Sequence, residues 1–348
     1  MSVRRRDAGF CRPIRYRLPP FRVAAAYTQL SETADWGLAL LHVPEHWKQT
    51  QGAGVRVALL DTRLEHTHAD LHGAVDDLRD FTGSPSGALD RVGHGTHTAG
   101  IVGARRNDRG VVGVAPECRL LIGKVLGDDG SGLDDSVAAG IDWAIASGAD
   151  VISMSLGAPT PSPAIAAAVS RAVAAGKFLI CAAGNDGGGN DGQSVGVNYP
   201  ARFDDTVAVG AVQRDGRIAE FSSRGREVDI CAPGEDILST YLGGGYARLS
   251  GTSMAAPFVS GVVALLLAKH KQSGGATPVE TPSQLIEHLQ RTATDAGPTG
   301  RDPSYGFGLI DPAKLLADEI ATPTDRLEIG PVSVNGRTGT FVFVPAIA

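Results

Sequence analysis

The chain of 348 residues lacks an uninterrupted apolar run of the ~20 residues that a membrane-spanning helix requires. It also lacks the apolar N-terminal stretch that is typical of a secretory signal peptide. Cysteine is scarce: Cys11, Cys118, Cys181 and Cys231 show no CxxC spacing, and the last two lie in apolar runs typical of buried free thiols. These absences predict a cytoplasmic protein with no membrane partner.

Positive charge is concentrated at one end of the chain. Residues 1–22 contain seven arginines and one aspartate, a net charge of +6, whereas the whole chain has a net charge of −6. An acidic body excludes a uniformly basic nucleic-acid-binding protein, so nucleic acid is not an expected partner. The basic arm has two interpretations: a solvated tail, or a segment that docks on its own acidic domain.

Short apolar segments typical of buried strands alternate with helical segments from Val55 onward. Strands are predicted at 55–61, 119–126, 150–157, 177–184 and 205–212, and helices at 94–104, 134–148, 162–176 and 253–270. This alternation predicts an α/β fold, a mostly parallel sheet with helices on both faces. We expect three regions: an N-terminal extension (1–30), the main domain (31–318) and a C-terminal extension (319–348) with a β-hairpin around Asn335-Gly336.

Three polar residues follow or end predicted strands: Asp61, Ser155 and Asn185. The carboxyl ends of parallel strands meet at one edge of a sheet, where functional groups gather. His94 and Ser253 each begin a predicted helix, and glycines flank both. A helix start presents free N–H groups and a positive dipole end, which suit a nucleophile that must generate an oxyanion. A hydroxyl, an imidazole and a carboxylate are the groups that nucleophilic hydrolysis of an amide requires.

Five sequence segments occur in an order known from one family: VALLDTRLEHTHADL, GHGTHTAG, MSLG, AAGNDG and SGTSMAAPFVSG. From about Trp36 to Leu316 the chain resembles the subtilisin family of serine proteases, and it is most similar to the intracellular subtilisins. The resemblance implies a three-layer subtilisin-like fold and a serine endopeptidase that acts on peptides or unfolded proteins. A dedicated peptide-maturation protease and a catalytically silent subtilase-fold binding protein are the alternatives.

The resemblance assigns a role to each residue of the catalytic site. Ser253 is the nucleophile, His94 the general base and acid, and Asp61 the carboxylate that orients the imidazole. Asn185 and the Ser253 N–H are the donors of the oxyanion hole. Pro257 is expected in the first turn of the helix that Ser253 begins, where its missing N–H costs little.

An extended substrate peptide is expected to lie between two backbone edges, a form of β-augmentation. The resemblance places these edges at 129–132 and 155–157. The pocket for the residue before the scissile bond is expected to have walls at 155–157 and 182–184 and a shallow floor at Asn198, next to a cis Tyr199–Pro200 bond. The predicted binding residues are Asp129, Gly130, Ser131, Gly132, Ser155, Leu156, Gly157, Ala182, Ala183, Gly184 and Asn198.

Relatives in this family bind Ca²⁺ through a carboxylate, an amide and backbone carbonyls, which are oxygen ligands suited to this ion. The matching side chains here are Asp70 and Asn107, and the matching carbonyls belong to Arg105, Arg109 and Val111. The arginines of this loop weaken the electrostatic case for a cation.

Other residues carry weaker signals. His66, His68 and His72 suggest a zinc site, but no cysteine accompanies them, and a solvated helix start is the favoured interpretation. Arg63 stands beside Asp61 where relatives commonly have glycine, which puts the local turn in doubt. Phe258 replaces a common histidine.

The N-terminal arm contains IRYRLPPFRV, which is similar to the short extension of intracellular subtilisins. The resemblance implies that Leu18, Pro19, Pro20 and Phe21 lie across the active site in cis and block it until they are removed. Proline suits this role because it fixes φ and has no N–H. The opposite charges of arm and body are expected to favour docking. For the C-terminal hairpin, covering of the domain's own surface and contact with a second copy in a homodimer both stay open.

Overall fold

A seven-stranded sheet forms the centre of the protein, and every neighbouring pair of its strands is parallel. The structure, a computed structural model, describes residues 13–87, 89–187, 196–274, 279–317, 327–334 and 337–343. Its strands are β1 (Arg15–Arg17), β2 (Arg22–Tyr27), β3 (Arg56–Asp61), β4 (Val75–Asp80), β5 (Arg119–Lys124), β6 (Ser131–Leu133), β7 (Val151–Met154), β8 (Phe178–Ala182), β9 (Val207–Val212), β10 (Ile230–Pro233), β11 (Ile237–Thr240), β12 (Tyr246–Ser250), β13 (Leu327–Val334) and β14 (Arg337–Phe343). Its helices are α1 (Trp36–Leu40), α2 (Val43–His46), α3 (His94–Gly103), α4 (Asp134–Ala146), α5 (Pro163–Ala174), α6 (Thr252–Ser273), α7 (Pro282–Thr292) and α8 (Pro312–Leu315).

The strand order in the sheet is β10-β9-β8-β7-β3-β5-β4. Successive side chains of a strand point to opposite faces of its sheet. Val57 and Leu59 of β3 accordingly pack in the same core as α3 and α6, whereas Ala58 and Leu60 pack with α4 and α5. Two buried cores, one on each face, confirm the predicted three-layer α/β fold.

The five predicted strands correspond to β3, β5, β7, β8 and β9, and the four predicted helices to α3, α4, α5 and α6. The sequence analysis did not predict the two edge strands of the sheet, β4 and β10. The sequence of β4, VDDLRD, has four charged residues and hides the apolar alternation of a half-buried strand. Two smaller antiparallel sheets, β1-β6 and β11-β12-β2, bring the N-terminal residues onto the domain.

Helix α6 is the one helix in the described part of the chain that is long and apolar enough to cross a membrane by length and composition. Of its apolar window, 94% is buried inside the protein. The helix packs against α3 and against strands β7, β8 and β9 of the sheet. This is the pattern of a core helix.

The chain divides into two compact units, Met1–Leu316 and Ala317–Ala348. Within the second unit, β13 and β14 form an antiparallel hairpin in which Val334 lies opposite Arg337. The predicted hairpin is therefore confirmed, although residues 335–336 at its turn lie outside the described residues.

Three of the four cysteines lie in the described part of the chain: Cys118, Cys181 and Cys231 are buried free thiols. Burial raises the pKa of the Cys118 thiol to about 12 and raises the pKa of the other two as well. The prediction for Cys181 and Cys231 is confirmed, and Cys11 lies outside the described residues.

Gly261 lies where α6 approaches residue 114, so closely that a Cβ at 261 would lie 2.5 Å from Val114 Cβ. We expect Gly261→Ala to lower the free energy of unfolding by about 1–3 kcal/mol, because it overpacks this contact. Denaturant unfolding followed by circular dichroism measures the change. The control Ser170→Ala, on the exposed side of α5, should change stability by less than about 0.5 kcal/mol. A Gly261→Ala protein as stable as the wild type would contradict the close approach.

Candidate active site

Asp61 is the last residue of β3, and His94 is the first residue of α3. His94 Nδ1 lies 2.9 Å from both carboxylate oxygens of Asp61, and both side chains are buried. The Thr62 N–H (2.6 Å) and the Thr98 hydroxyl (3.3 Å) also donate to this carboxylate. Because the carboxylate accepts, Nδ1 carries a hydrogen, and Nε2 is the nitrogen left to accept a proton.

Ser253 is the second residue of α6, and Gly251 precedes the helix. Its hydroxyl donates to the backbone carbonyl of Ser155 at 3.4 Å. His94 Nε2 is buried and has no hydrogen-bond partner among the described residues. The hydrogen bond between nucleophile and base is therefore not formed in this structure.

Pro257 is the sixth residue of α6, so the prediction that it lies in the first turn is wrong. At this position a proline lacks the N–H that would bond to the carbonyl four residues earlier, which is that of Ser253. The Ser155 hydroxyl donates to this carbonyl at 2.9 Å and replaces the missing bond. Ser155 thus contacts Ser253 twice, through its hydroxyl and through its backbone carbonyl.

Asn185 follows β8, and two hydrogen bonds orient its side chain. Its amide oxygen accepts from the N–H and the hydroxyl of Thr252, both at 2.8 Å. Its Nδ2 then donates to the carbonyl of Pro20 at 2.9 Å. The next residue, Phe21, places its ring 5.1 Å from the His94 ring, centroid to centroid. Asn185, His94 and the start of α6 are thus gathered around one dipeptide of the N-terminal segment.

The N-terminal segment runs through the predicted cleft as an extended strand. Strand β1 pairs antiparallel with β6. Arg17 exchanges two backbone hydrogen bonds with Gly157, at 3.1 and 2.9 Å, and the Leu18 N–H donates to the Gly130 carbonyl at 3.0 Å. The two predicted backbone edges therefore face each other across residues 15–18.

A cavity of about 370 Å³ lies beside Pro19 and Pro20, and Asn198 lines it. The Asn198 backbone N–H donates to the Ala183 carbonyl at 2.9 Å, and its side-chain amide donates to Asp186 at 2.7 Å. Asp186, which the sequence analysis did not assign, adds a carboxylate to this cavity. Of the predicted wall residues, Gly157 is half-buried and the others are buried: Ser155, Leu156, Ala182, Ala183 and Gly184.

Arg63 has a φ of 116°, a backbone conformation that favours glycine and costs a side-chain-bearing residue about 1–3 kcal/mol. Its guanidinium is nearly buried and donates to the Gly87 carbonyl at 2.7 Å, and burial lowers its pKa. The turn after Asp61 thus accommodates an arginine in a strained conformation. The Tyr199–Pro200 bond is cis, as predicted.

The residues of the predicted calcium loop lie close together. The buried Asp70 carboxylate accepts the Val111 N–H at 2.8 Å and the Asn107 side-chain amide at 3.2 Å. Glu32, which the sequence analysis did not assign, accepts the backbone N–H groups of Asn107 and Asp108 at 2.8 and 3.0 Å. Carboxylates from two other segments of the chain and the backbone carbonyls of this loop are oxygen donors of the kind that Ca²⁺ prefers. The donor set fits this ion when the Asn107 amide is rotated so that its oxygen replaces its nitrogen.

Two arginines of this loop bind elsewhere. The Arg105 guanidinium donates to the backbone carbonyls of Gly73 and Pro116. Arg106 lies over the Trp47 ring, 5.2 Å from its centroid. These contacts direct both cations to partners other than the loop's carboxylates, which weakens the electrostatic objection to a metal ion.

The histidines near this loop do not form a metal centre. His68 is fully buried, with Nε2 2.9 Å from the Gly245 carbonyl and Nδ1 accepting the Asp70 N–H at 3.1 Å. The expectation of a solvated helix start is therefore wrong for His68. Among the described residues, no group of three or more His, Cys, Asp or Glu side chains is placed to hold a metal ion.

Known proteins match this chain over most of its length. A sequence model described as the subtilase family matches residues 52–308. An intracellular serine protease of Paenibacillus polymyxa is 44% identical over 298 residues, which are 84% of this chain and 89% of the relative. The major intracellular serine protease of Bacillus subtilis is 40% identical over 263 residues, 74% and 82% of the two chains. Subtilisin DY of Bacillus licheniformis is 40% identical over 282 residues, 81% and 98%. The chain therefore belongs to the subtilase family and is a subtilisin-like serine endopeptidase.

Proposed function

We propose that this endopeptidase cleaves peptide bonds through a Ser253 acyl-enzyme, and that the N-terminal segment keeps it latent. The observation that carries the proposal is the bond from Asn185 Nδ2 to the Pro20 carbonyl, beside the Phe21 ring on His94. The carbonyl of a chain that runs through the cleft already lies on the proposed oxyanion donor. A substrate carbonyl at the same place would meet both that donor and the general base.

In the proposed reaction, Ser253 Oγ attacks the carbonyl carbon of the scissile bond while His94 Nε2 takes the hydroxyl proton. Asp61 holds the hydrogen on Nδ1 and stabilises the imidazolium that forms. Asn185 Nδ2 and the Ser253 N–H donate to the oxyanion. His94 passes its proton to the departing amine. It then deprotonates the water that cleaves the ester and restores the Ser253 hydroxyl.

Three features of the segment and of the site that it covers support latency. Pro19 and Pro20 have no N–H and a fixed φ, so these two residues cannot donate backbone hydrogen bonds that would align their carbonyls for attack. The Phe21 ring covers the imidazole of His94. The Ser253 hydroxyl bonds to a backbone carbonyl instead of to the imidazole.

Burial and backbone pairing, rather than charge, support docking of the segment. Tyr16 is fully buried in the same core as α4 and α5, and burial of a large side chain contributes ~1.5–3 kcal/mol. The ion pair between Arg15 and Asp129 is 3.7 Å long with both side chains more than half exposed, so it contributes little. Residues 1–12, with four arginines, lie outside the described residues.

We further propose a cytoplasmic location and substrates that are peptides or unfolded proteins. The relatives named as intracellular serine proteases and the buried free thiols support the location. The groove supports the substrate class, because it pairs with the backbone of an extended chain.

We also propose a structural Ca²⁺ ion in the loop that follows α3. Such an ion would add cross-links between the loop and the N-terminal residues, and it would take no part in peptide hydrolysis. The residues that would hold it are the side chains of Glu32, Asp70 and Asn107 and the carbonyls of Arg105, Arg109 and Val111.

A fluorophosphonate probe is expected to label the wild-type protein at Ser253 and to leave Ser253→Ala unlabelled. Asn185→Ala should slow labelling by ~10²–10³-fold, the magnitude known in this same family for loss of one oxyanion donor. Mass spectrometry of the labelled peptide gives the site, and Gln290→Ala, which changes an exposed amide on α7, is the control. A wild-type protein that does not react, even after removal of residues 1–22, would reject the proposed nucleophile.

Latency predicts that Tyr16→Ala raises the rate of cleavage of a small peptide. Loss of the buried side chain weakens docking by ~1.5–3 kcal/mol. The fraction of molecules whose active site is uncovered then rises ~10–100-fold. The matched control is Tyr27→Ala, since Tyr27 is 38% exposed on the same N-terminal stretch. Equal rates for both variants and the wild type would show that the segment does not block the site.

Calcium binding predicts a Tm that rises with added Ca²⁺ and falls with a chelator. At a free concentration 100 times Kd, the ion would stabilise the protein by about 2.7 kcal/mol. Differential scanning calorimetry measures both states. Asp70→Asn should abolish the difference, whereas Asp215→Asn, an exposed acid elsewhere, should keep it. A wild-type Tm that is the same in calcium and in chelator would refute the site.

A further inference from the structure

Asp90 is a buried carboxylate, 8% exposed, on the loop before α3. Its Oδ1 accepts the backbone N–H groups of Val92 (3.0 Å) and Gly93 (2.9 Å) and the Thr62 hydroxyl (3.2 Å). Its Oδ2 accepts the N–H (3.2 Å) and the hydroxyl (2.7 Å) of Thr96. One side chain thus accepts hydrogen bonds from the residue after Asp61 and from residues on both sides of His94.

Helix α3 depends on Asp90 for its N-terminal cap. Its N-cap residue is Gly93, which has a φ of 84° and no side chain to accept the free N–H groups of the first turn. The Asp90 carboxylate supplies the acceptor and places a negative charge at the positive end of the helix dipole. His94 is the first residue of this helix, so its imidazole stands at the same end.

Thr62 links Asp90 to the catalytic carboxylate. Its hydroxyl donates to Asp90 and accepts the Gly95 N–H at 3.0 Å. Its own backbone N–H donates to Asp61 Oδ1 at 2.6 Å. A closed ring of hydrogen bonds therefore joins Asp61, Thr62, Asp90 and the first turn of α3. The bond between Asp61 and His94 is one member of this ring.

We propose that Asp90 is a positioning residue for the proton transfer between Ser253 and His94. Its hydrogen bonds hold the strand end that carries Asp61 against the helix that carries His94. Its charge offsets the positive end of α3 and so favours the imidazolium that forms during the reaction. The inference rests on the hydrolytic role of Ser253 and His94, and its tests include a variant without the nucleophile.

Other titratable groups adjoin this end of α3. They are Asp61, Arg63, Asp80, His97, Lys124 and Tyr241. Burial lowers the pKa of His97 to about 3 and raises that of Tyr241, so both are neutral at pH 7. Arg63 and Lys124 are the cations of this set, and Lys124 Nζ donates to the Thr62 carbonyl at 3.0 Å. Lys124 Nζ also pairs with the Asp128 carboxylate at 3.1 Å. The charges of Asp80 and Asp90 both act on Arg63, so removal of the Asp90 charge leaves this cation less compensated.

Two variants separate the geometric effect from the effect of charge. Asp90→Asn removes the charge and replaces an acceptor by a donor. Thr62→Val removes the hydroxyl link between the two segments and keeps the Asp90 charge. The matched control is Asp35→Asn, because Asp35 is also buried and accepts two backbone N–H groups, from Gly37 and Leu238, away from the catalytic pair.

The first measurement is the rate of Ser253 labelling by a fluorophosphonate in the full chain. Asp90→Asn and Thr62→Val should each lower the rate by ~10–100-fold, the cost of a displacement of about 1 Å between reacting groups. Asp35→Asn should keep the wild-type rate. A Thr62→Val protein that is labelled at the wild-type rate overturns the geometric part of the proposal. This variant also keeps that part testable if Asp90→Asn does not fold.

The second measurement is independent of the nucleophile. In the Ser253→Ala background, proton NMR follows the downfield Nδ1–H signal of His94 as a function of pH. Asp90→Asn should move the midpoint of this titration down by ~0.5–1 pH unit, because loss of a nearby anion disfavours the imidazolium. Asp35→Asn should leave it unchanged. An unchanged midpoint in Asp90→Asn overturns the role of the charge. A wild-type protein that the fluorophosphonate does not label would refute only the proposed nucleophile.

Discussion

The buried bond between Asp61 and His94 is the interaction on which the catalytic region depends. A carboxylate without partners inside a protein costs several kcal/mol, and here His94, Thr62 and Thr98 all donate to it. With Nδ1 committed to this bond, Nε2 is the nitrogen of the imidazole that can act on the nucleophile. The Phe21 ring of the N-terminal segment lies 5.1 Å from this imidazole, so the proposed catalysis and the proposed latency both involve the ring that this bond orients.

The sequence was sufficient where function lies at the ends of regular elements. Asp61 ends an apolar strand and His94 begins a glycine-flanked helix, and both signals are local. It was insufficient where a role comes from residues far apart in the chain. Glu32 binds a loop 75 residues away, and Asp90 binds Thr62, 28 residues before it, through contacts that no periodicity reveals. Local signals also decided which strands of the sheet were predicted. The apolar central strands were predicted, whereas the charged edge strand β4 was not.

In the described part of the N-terminal segment, contacts other than charge pairs account for binding, and residues 1–12, with four of its arginines, lie outside that part. The +6 arm and the acidic body suggest electrostatic docking, but the ion pair of Arg15 with Asp129 is exposed to solvent. The contacts that hold residues 15–18 are a fully buried tyrosine and backbone hydrogen bonds with both edges of the cleft. Such contacts are insensitive to ionic strength, in contrast to surface charge pairs. Under the proposed latency, the segment would compete with substrates through backbone interactions of the kind that an extended substrate would make.

The two contacts between Ser155 and Ser253 involve different groups of Ser253, its backbone carbonyl and its side-chain hydroxyl. The first contact supports the helix, whereas the second involves the proposed nucleophile. The backbone carbonyl of Ser253 compensates for Pro257 by accepting the Ser155 hydroxyl, whereas its side chain makes a single long bond at 3.4 Å. Every amino acid has that carbonyl, so helix α6 does not need a serine at position 253 to begin where it does. By these contacts, a different side chain at position 253 would cost the helix little, whereas loss of the Ser155 hydroxyl would leave the Ser253 carbonyl unpaired. The proposed hydrolysis, and not the stability of the helix, therefore accounts for a serine at position 253.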